Sequence, residues 1–125
     1  MWTWDQSAGV LSRAGKIVSR GYSGAGRGKN NPAMQAAVGV GPVPRGRWMI
    51  GAPYNSANVG PYALRLEAQD GTIDDRHAGT GRGAFRIHGD SIRSPGTASH
   101  GCIILPRLIR ELIWKSGDRE LEVVA

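Results

Sequence analysis

Hydrophobic and polar residues alternate along much of the chain, and this two-residue period is typical of β-strands. Glycine-containing turns separate the first three stretches, which therefore predict an antiparallel meander. A strand pattern is found at residues 2–4, 10–11, 16–19, 47–50, 61–67, 84–88 and 118–124. The pattern predicts a mainly β fold of the β-rich α+β class.

Residues 106–116 form the one stretch with a helical period. Its apolar positions fall at i, i+1, i+4 and i+5, so they predict one face packed on the core. These apolar residues are Leu108, Ile109, Leu112 and Ile113. The residues expected to point outward are Arg107, Arg110 and Glu111. Pro106 suits the first turn of such a helix, and Gly117 suits its end.

The segment between the meander and the later strands is rich in turn residues. Residues 21–31 contain Gly, Ser and Asn without apolar periodicity, which predicts a loop. Asn31 followed by Pro32 is typical of an N-cap and first helical position, so a short helical turn through Ala36 is expected.

Composition limits the class of protein. A chain of 125 residues and 13.3 kDa fits one domain over residues 1–125. The net charge of +6 favours polyanionic partners such as nucleic acid, anionic lipid or cell-wall polymer. Scattered Lys and Arg and a single Phe argue against nucleic acid. No apolar run approaches the roughly 20 residues of a membrane span, so no membrane insertion is expected.

The N-terminal residues Met1–Asp5 lack the charged start and apolar stretch of a signal peptide. We therefore expect a protein that is made in the cytoplasm without a signal peptide. If it works outside the cytoplasm, another route must carry it there.

A single cysteine lies among residues suited to nucleophilic catalysis. Cys102 has no partner for an internal disulfide, and two histidines, His88 and His100, precede it. A cysteine nucleophile needs an imidazole close by to populate its thiolate. Gly101 allows a close bend, so the amides of Gly101 and Cys102 are candidates for an oxyanion hole. The helix that begins near Pro106 adds a dipole that favours the thiolate.

These residues resemble the signature of the L,D-transpeptidase catalytic domain, which has a strand-borne His-Gly followed by Ser-His-Gly-Cys. The matching segments are Ile87–Asp90, Ser99–Ile103 and Pro44–Ile50. The resemblance implies a β-sandwich or barrel with one main helix after the cysteine. The resemblance also implies that Cys102 is acylated and that His88 is the general base.

The same resemblance implies supporting roles around that pair. The Gly89 carbonyl steadies the imidazole, Ser99 and His100 support the site, and Gly101 contributes to the oxyanion hole. The reaction requires no metal or organic cofactor. Two differences from most cell-wall transpeptidases are the short loop at residues 89–98 and Ile104 in place of Arg or Asn.

Four segments in the same order are similar to the L,D-transpeptidase-related toxins of type VI secretion systems. They are Gly21–Gly24, Gly28–Pro32, Gly41–Gly46 and Ile87–Asp90. The resemblance implies action on peptidoglycan stem tetrapeptides, either as an L,D-carboxypeptidase or by exchange of the terminal D-amino acid. It also implies contact-dependent secretion, activity in the target-cell periplasm and a cognate immunity protein.

Several alternatives stay open from the residues alone. The chain is also compatible with a crosslink-forming L,D-transpeptidase, a non-enzymatic cell-wall or nucleic-acid binding module, or a cysteine hydrolase of ordinary peptides. Cys102 is alternatively a small buried apolar residue. A zinc site is the remaining alternative, and its ligands would come from His77, His88, His100 and Cys102. His77 is otherwise expected to be a solvated loop residue.

Substrate-binding residues are expected around the cysteine and histidine. Tyr22 is a candidate for the wall of the cleft. Arg86 and Arg93 are candidates for pairing with a substrate carboxylate, because guanidinium groups bind carboxylates through two hydrogen bonds. Arg82 flanks the same site, and ordinary surface charge is the alternative for all three arginines.

Overall fold

A computed structural model describes residues 1–125 and confirms the mainly β prediction, with 38% strand, 12% helix and a single α-helix. The strands are β1 Trp2–Asp5, β2 Val10–Arg13, β3 Lys16–Arg20, β4 Tyr22–Ser23, β5 Gly46–Ser56, β6 Gly60–Ala68, β7 Arg86–His88, β8 Ile103–Ile104 and β9 Glu120–Val124. The helix is α1 Arg107–Lys115, and two 3-10 turns are Gly26–Gly28 and Pro32–Met34.

All nine strands belong to one sheet in the order β3-β2-β1-β9-β5-β6-β7-β8-β4. The strands at its two edges, β3 and β4, are consecutive along the chain and are separated only by Gly21. Because one residue spans less than about 4 Å, the two edges must approach each other at this point. The sheet therefore rolls into a barrel-like shape around its inner face.

The N-terminal meander has the predicted antiparallel pairing, with Trp4 opposite Leu11. Trp2 and Trp4 are both fully buried, because alternate side chains of β1 point to the inner face. The last strand, β9, lies between β1 and β5 and is parallel to β1. The inner face of the sheet forms the main core, a cluster of 16 buried residues.

The helix has the predicted position, with Pro106 as N-cap and a left-handed Gly117 after its end. Its orientation differs from the prediction. Leu108 is 77% exposed and Leu112 is 47% exposed, whereas Arg110 is only 4% exposed. The helix packs through Ile109, Arg110 and Ile113. The Arg110 side chain lies inward because it donates to three backbone carbonyls of the barrel.

The segment expected to be a loop contains a short strand and a helical turn. Tyr22 and Ser23 pair with Ile104 and Ile103 of β8. The expected cap at Asn31 is present, since its side chain accepts a hydrogen bond from the Ala33 amide at the start of the second 3-10 turn. Two-residue strands such as β4 and β8 carry no readable alternation, which explains why both were missed.

Candidate active site around Cys102 and His88

Strands β7 and β8 position the two candidate catalytic residues. They are parallel, with Ile87 opposite Ile103 and His88 opposite Ile104. Ile87 and Ile103 are fully buried in the core. Side chains alternate between faces along a strand, so His88 and Cys102, one residue away from each isoleucine, are directed to the other face. Extended by one residue, this register places Cys102 opposite Arg86 and diagonal to His88 on the same face, while the thiol itself reaches toward Ala84.

The thiol of Cys102 is half-buried and donates to the Ala84 carbonyl at 3.7 Å. Burial raises its pKa, because the thiolate loses hydration. The Arg86 backbone amide and the guanidinium groups of Arg86 and Arg82 oppose this rise in the pKa, while Asp75 adds to it. The thiol is therefore protonated near neutral pH and needs a base to become a nucleophile.

The imidazole of His88 is suited to act as that base. His88 is 3% exposed, and its Nδ1 lies 2.8 Å from the Gly89 carbonyl. A carbonyl only accepts hydrogen bonds, so Nδ1 carries the proton and Nε2 keeps its lone pair when the ring is neutral. Burial is the largest cause that lowers the His88 pKa. Nε2 forms no hydrogen bond to a protein atom, and none joins it to the thiol.

Ser99 fixes the backbone on which Cys102 lies. Its side chain is fully buried and donates to the Cys102 carbonyl at 2.6 Å. The same hydroxyl accepts from the amides of Gly24 at 2.8 Å and Gly101 at 3.1 Å. Ser23 adds a further link by donating to the Gly101 carbonyl at 2.8 Å. These bonds hold the turn before β8 against the segment that follows β4.

Position 101 has no room for a side chain and therefore requires glycine. Its φ is +145°, and a Cβ there would lie 2.5 Å from Nη2 of Arg82. Its amide already donates to Ser99, which argues against its expected role in an oxyanion hole. The Cys102 amide, in contrast, donates to no protein group. Of the two amides considered, that of Cys102 is the one free to bind an oxyanion.

Neither of the other two histidines forms a hydrogen bond with the thiol. His100 is exposed, and its Nδ1 lies 3.2 Å from the Gly39 carbonyl. His77 stacks on Trp48 at 5.7 Å and bonds to Thr80, so it is half-buried rather than fully solvated. No three His, Cys, Asp or Glu side chains converge in a group that could hold a metal ion. The zinc-site alternative therefore has no support in the geometry.

A cavity of about 820 Å³ lies beside the end of β7, where Gly89, Asp90 and Ile104 contribute to its wall; His88 and Cys102 do not line it. Tyr22 also lines it and donates to Asp90 at 2.5 Å, while it accepts from the Ala98 amide at 2.9 Å. Burial, together with the Asp90 carboxylate, raises the pKa of Tyr22 to about 12. Tyr22 therefore stays protonated and links β4 to both ends of the loop at residues 89–98.

The comparison with known protein families identifies the chain. The sequence model of the Tlde1 domain matches residues 18–124, which include the cysteine, the histidine and the cavity. This chain belongs to the Tlde1 domain family. Tlde1 domains are antibacterial toxin domains of type VI secretion effectors, and such effectors are delivered by contact into target cells. No curated protein matches the chain.

The Tlde1 assignment also bears on partners and localisation. Membership of an effector family indicates a cognate immunity protein as a partner. The only α-helix of this Tlde1 domain, α1, is too short to cross a membrane, and no other helix qualifies.

Of the two arginines expected to bind a substrate carboxylate, only one is free of an ion pair in this Tlde1 domain. Arg86 pairs with both oxygens of Asp75, at 2.8 and 3.0 Å, and donates to the Tyr54 hydroxyl. Its side chain is occupied inside the protein, which argues against the expected contact with substrate. Arg93 is exposed, lines the cavity and has no ion-pair partner.

The sequence did not predict the contacts that Asp90 and Arg110 make in the Tlde1 site. Asp90 accepts hydrogen bonds from Tyr22 and from the amides of Ser91 and Gly96, so it organises the loop after His88. Its position in the His-Gly-Asp sequence was the available signal. Arg110 lies against Gly89 from inside the fold, and only the three-dimensional packing shows it.

Proposed function

We propose that this Tlde1 domain is a cysteine enzyme that acts on the stem tetrapeptides of peptidoglycan. Cys102 attacks the carbonyl carbon between meso-diaminopimelate and the terminal D-alanine, while Nε2 of His88 accepts the thiol proton. Collapse of the tetrahedral adduct breaks the amide bond, and His88 returns the proton to the leaving D-alanine nitrogen. Water or another D-amino acid then resolves the thioester.

The observation that carries the proposal is the shared face of β7 and β8. The register of β7 and β8, extended by one residue, places Cys102 diagonal to His88, with the imidazole Nε2 unoccupied and the thiol protonated. A resting hydrogen bond between them is absent, and catalytic hydrogen bonds often tighten only when substrate binds. The unpaired amide of Cys102 is suited to stabilise the oxyanion of the adduct.

The cavity beside the end of β7 supports a carboxylate-bearing peptide as the substrate. Three exposed arginines line it, namely Arg20, Arg93 and Arg107. Asp90 is the one acidic residue in its wall. Stem peptides carry free carboxylates, which arginine binds through two hydrogen bonds. The excess of basic residues over the whole chain favours residence near anionic wall polymer as well.

The proposed reaction explains how such an effector harms a target cell. A tetrapeptide that loses or exchanges its terminal D-alanine is a poor donor for crosslinking, so the wall weakens. An immunity protein that covers the cleft between His88 and Cys102 would block this reaction in the producing cell.

The test is product analysis by mass spectrometry after incubation with purified tetrapeptide muropeptides. We expect tripeptide products, or tetrapeptides with a swapped final residue when a D-amino acid is added. Cys102→Ala should abolish both products with the fold retained, and His88→Ala should slow them by about 10²–10⁴-fold. His100→Ala is the matched control and should retain most activity, because the His100 ring contacts Gly39 instead of the thiol.

Other outcomes of the same experiment would replace the proposal. Crosslinked dimers as the main product would indicate a crosslink-forming L,D-transpeptidase. Unaltered muropeptides with binding retained in Cys102→Ala would indicate a non-enzymatic wall-binding module.

A further inference from the structure

Two arginines are buried without a carboxylate partner. Arg82 is 6% exposed and Arg110 is 4% exposed, and neither forms a salt bridge. Burying a cation costs free energy unless an anion or several dipoles compensate for its lost hydration. Arg82 is compensated by backbone carbonyls and by the face of the Phe85 ring, 5.0 Å from its guanidinium carbon. Arg110 is compensated mainly by backbone carbonyls, with a smaller contribution from the Glu111 carboxylate.

Arg82 lies behind the turn that carries the nucleophile. Its Nη1 donates to the carbonyls of Gln35 and Pro42 at 2.6 and 2.8 Å. Its Nη2 donates to the carbonyls of Gly41 and His100 at 2.9 and 3.1 Å. A Cβ at Gly101, the residue after His100, would lie 2.5 Å from this Nη2. The guanidinium therefore leaves no room for a side chain at position 101. The guanidinium is thus held directly against the backbone that precedes Cys102.

Arg110 has the equivalent position behind the histidine. It donates to the carbonyls of Leu105, Tyr62 and Pro61 at 2.5, 2.9 and 3.3 Å. A Cβ at Gly89 would lie 3.1 Å from its Nη1, so this guanidinium packs on the residue that follows His88. Each member of the proposed catalytic pair therefore has a glycine neighbour that touches a buried arginine.

The other charges near the thiol largely offset each other. Arg86 and Asp75 both act on Cys102, but they form a bidentate ion pair with each other. Arg82 is therefore the cation acting on the thiol that has no carboxylate partner. Burial lowers the Arg82 pKa, and the Cys102 thiolate partly offsets that decrease.

Burial is the largest cause that lowers the His88 pKa, and the hydrogen bond to the Gly89 carbonyl opposes it. Among the charged groups, Arg110 lowers the pKa further and Asp90 raises it. The Asp90 carboxylate is exposed and already accepts from Tyr22 and from the amides of Ser91 and Gly96.

We propose that Arg82 and Arg110 are positioning residues, and that each of them influences the charge state of a different member of the catalytic pair. The charge of Arg82 favours the Cys102 thiolate as it forms, and the charge of Arg110 adds to the effect of burial in keeping His88 neutral and ready to accept a proton. The inference rests on the proposed function in its assignment of Cys102 and His88. It adds that these two buried cations act on different members of the pair.

The test measures the two titrations separately in the full chain. Cys102 is the only cysteine, so the pH dependence of iodoacetamide alkylation, followed by intact mass, reports on this thiol alone. The His88 titration is followed by NMR of the imidazole signals. Circular dichroism verifies that each variant is folded.

We expect each arginine substitution to shift the titration midpoint of only one member of the pair. Arg82→Gln should move the alkylation midpoint to higher pH, with about tenfold slower alkylation below the midpoint, and should leave the His88 midpoint in place. Arg110→Gln is the matched control, since it also removes a buried, carbonyl-bound arginine. It should leave the thiol midpoint in place and move the His88 midpoint to higher pH. Arg82→Lys should restore most of the thiol midpoint by keeping the charge.

Asp75→Asn keeps the inference testable if Arg82→Gln does not fold. Removal of the carboxylate should move the thiol midpoint to lower pH, opposite to Arg82→Gln. Equal shifts of both midpoints in both arginine variants, or no shift in either, would show that these arginines are only structural clamps. A midpoint that rises in Asp75→Asn would also overturn the inference. These titrations need no turnover, so their failure is distinct from a failure of the proposed activity, which the muropeptide products test.

Discussion

At the scale of single residues, the Ser99 hydroxyl is the main polar contact that shapes the turn before Cys102. It joins the Cys102 carbonyl to the amides of Gly24 and Gly101, all within a buried region. Removing a buried group leaves its former partners without hydrogen bonds and without water. Ser99 therefore contributes to the position of the nucleophile through the backbone and not through contact with the thiol.

Ser99→Ala should lower the free energy of unfolding by about 2–3 kcal/mol, because up to three buried backbone groups lose their partner. Urea denaturation measures this change. Ser7→Ala is the control, since Ser7 is exposed and its hydroxyl contacts only Asp5. Its effect should stay within about 0.5 kcal/mol. Equal stability losses in the two variants would contradict the role assigned to Ser99.

At the scale of elements, the loop at residues 89–98 depends on a contact from a distant strand. Tyr22 of β4 donates to Asp90 and accepts from Ala98, so one side chain fastens both ends of the loop. Lys29 reinforces this arrangement, with its Nζ 4.6 Å above the Tyr22 ring and 2.6 Å from the Gly96 carbonyl. Residues 89–93 of the loop form part of the wall of the cavity.

Tyr22→Phe should loosen this loop, because the loss of the hydroxyl removes a hydrogen bond to a carboxylate worth roughly 1.5–3 kcal/mol. Trypsin cleavage after the exposed Arg93 measures the effect, and we expect faster cleavage in the variant. Tyr54→Phe is a matched control: it removes a hydroxyl that bonds to Arg86, away from this loop. An unchanged cleavage rate at Arg93 in Tyr22→Phe would show that other contacts hold the loop.

The elements also show how far the sequence could predict the structure. The meander over β1 to β3 and the helix α1 are local, so alternation, turns and the flanking Pro106 and Gly117 were sufficient. The parallel pairing of β7 with β8 joins segments separated by the loop, and two-residue strands carry no periodicity. The burial of Arg110 was missed because a basic residue on a helix is normally exposed, and only the nearby carbonyls reveal its inward position.

At the scale of the whole molecule, closure of the sheet unites the parts of the site. Strand β4 completes the edge beside β8, so the segment after the meander meets the turn that carries Cys102. From this short strand, Ser23 donates to the Gly101 carbonyl in the turn before Cys102, and Tyr22 donates to Asp90 in the loop at residues 89–98. The rolled sheet also leaves His88 and Cys102 outside the main core cluster. The net charge of +6 over the whole chain favours association with anionic polymers.

The most direct measurement is the intact mass of the protein during turnover of a purified stem tetrapeptide. The account predicts a covalent adduct on Cys102 whose added mass equals the tetrapeptide less the released D-alanine. Cys102→Ala should show no adduct and form no product. A variant without the thiol that still produces tripeptide, or an adduct located on a residue other than Cys102, would contradict the account.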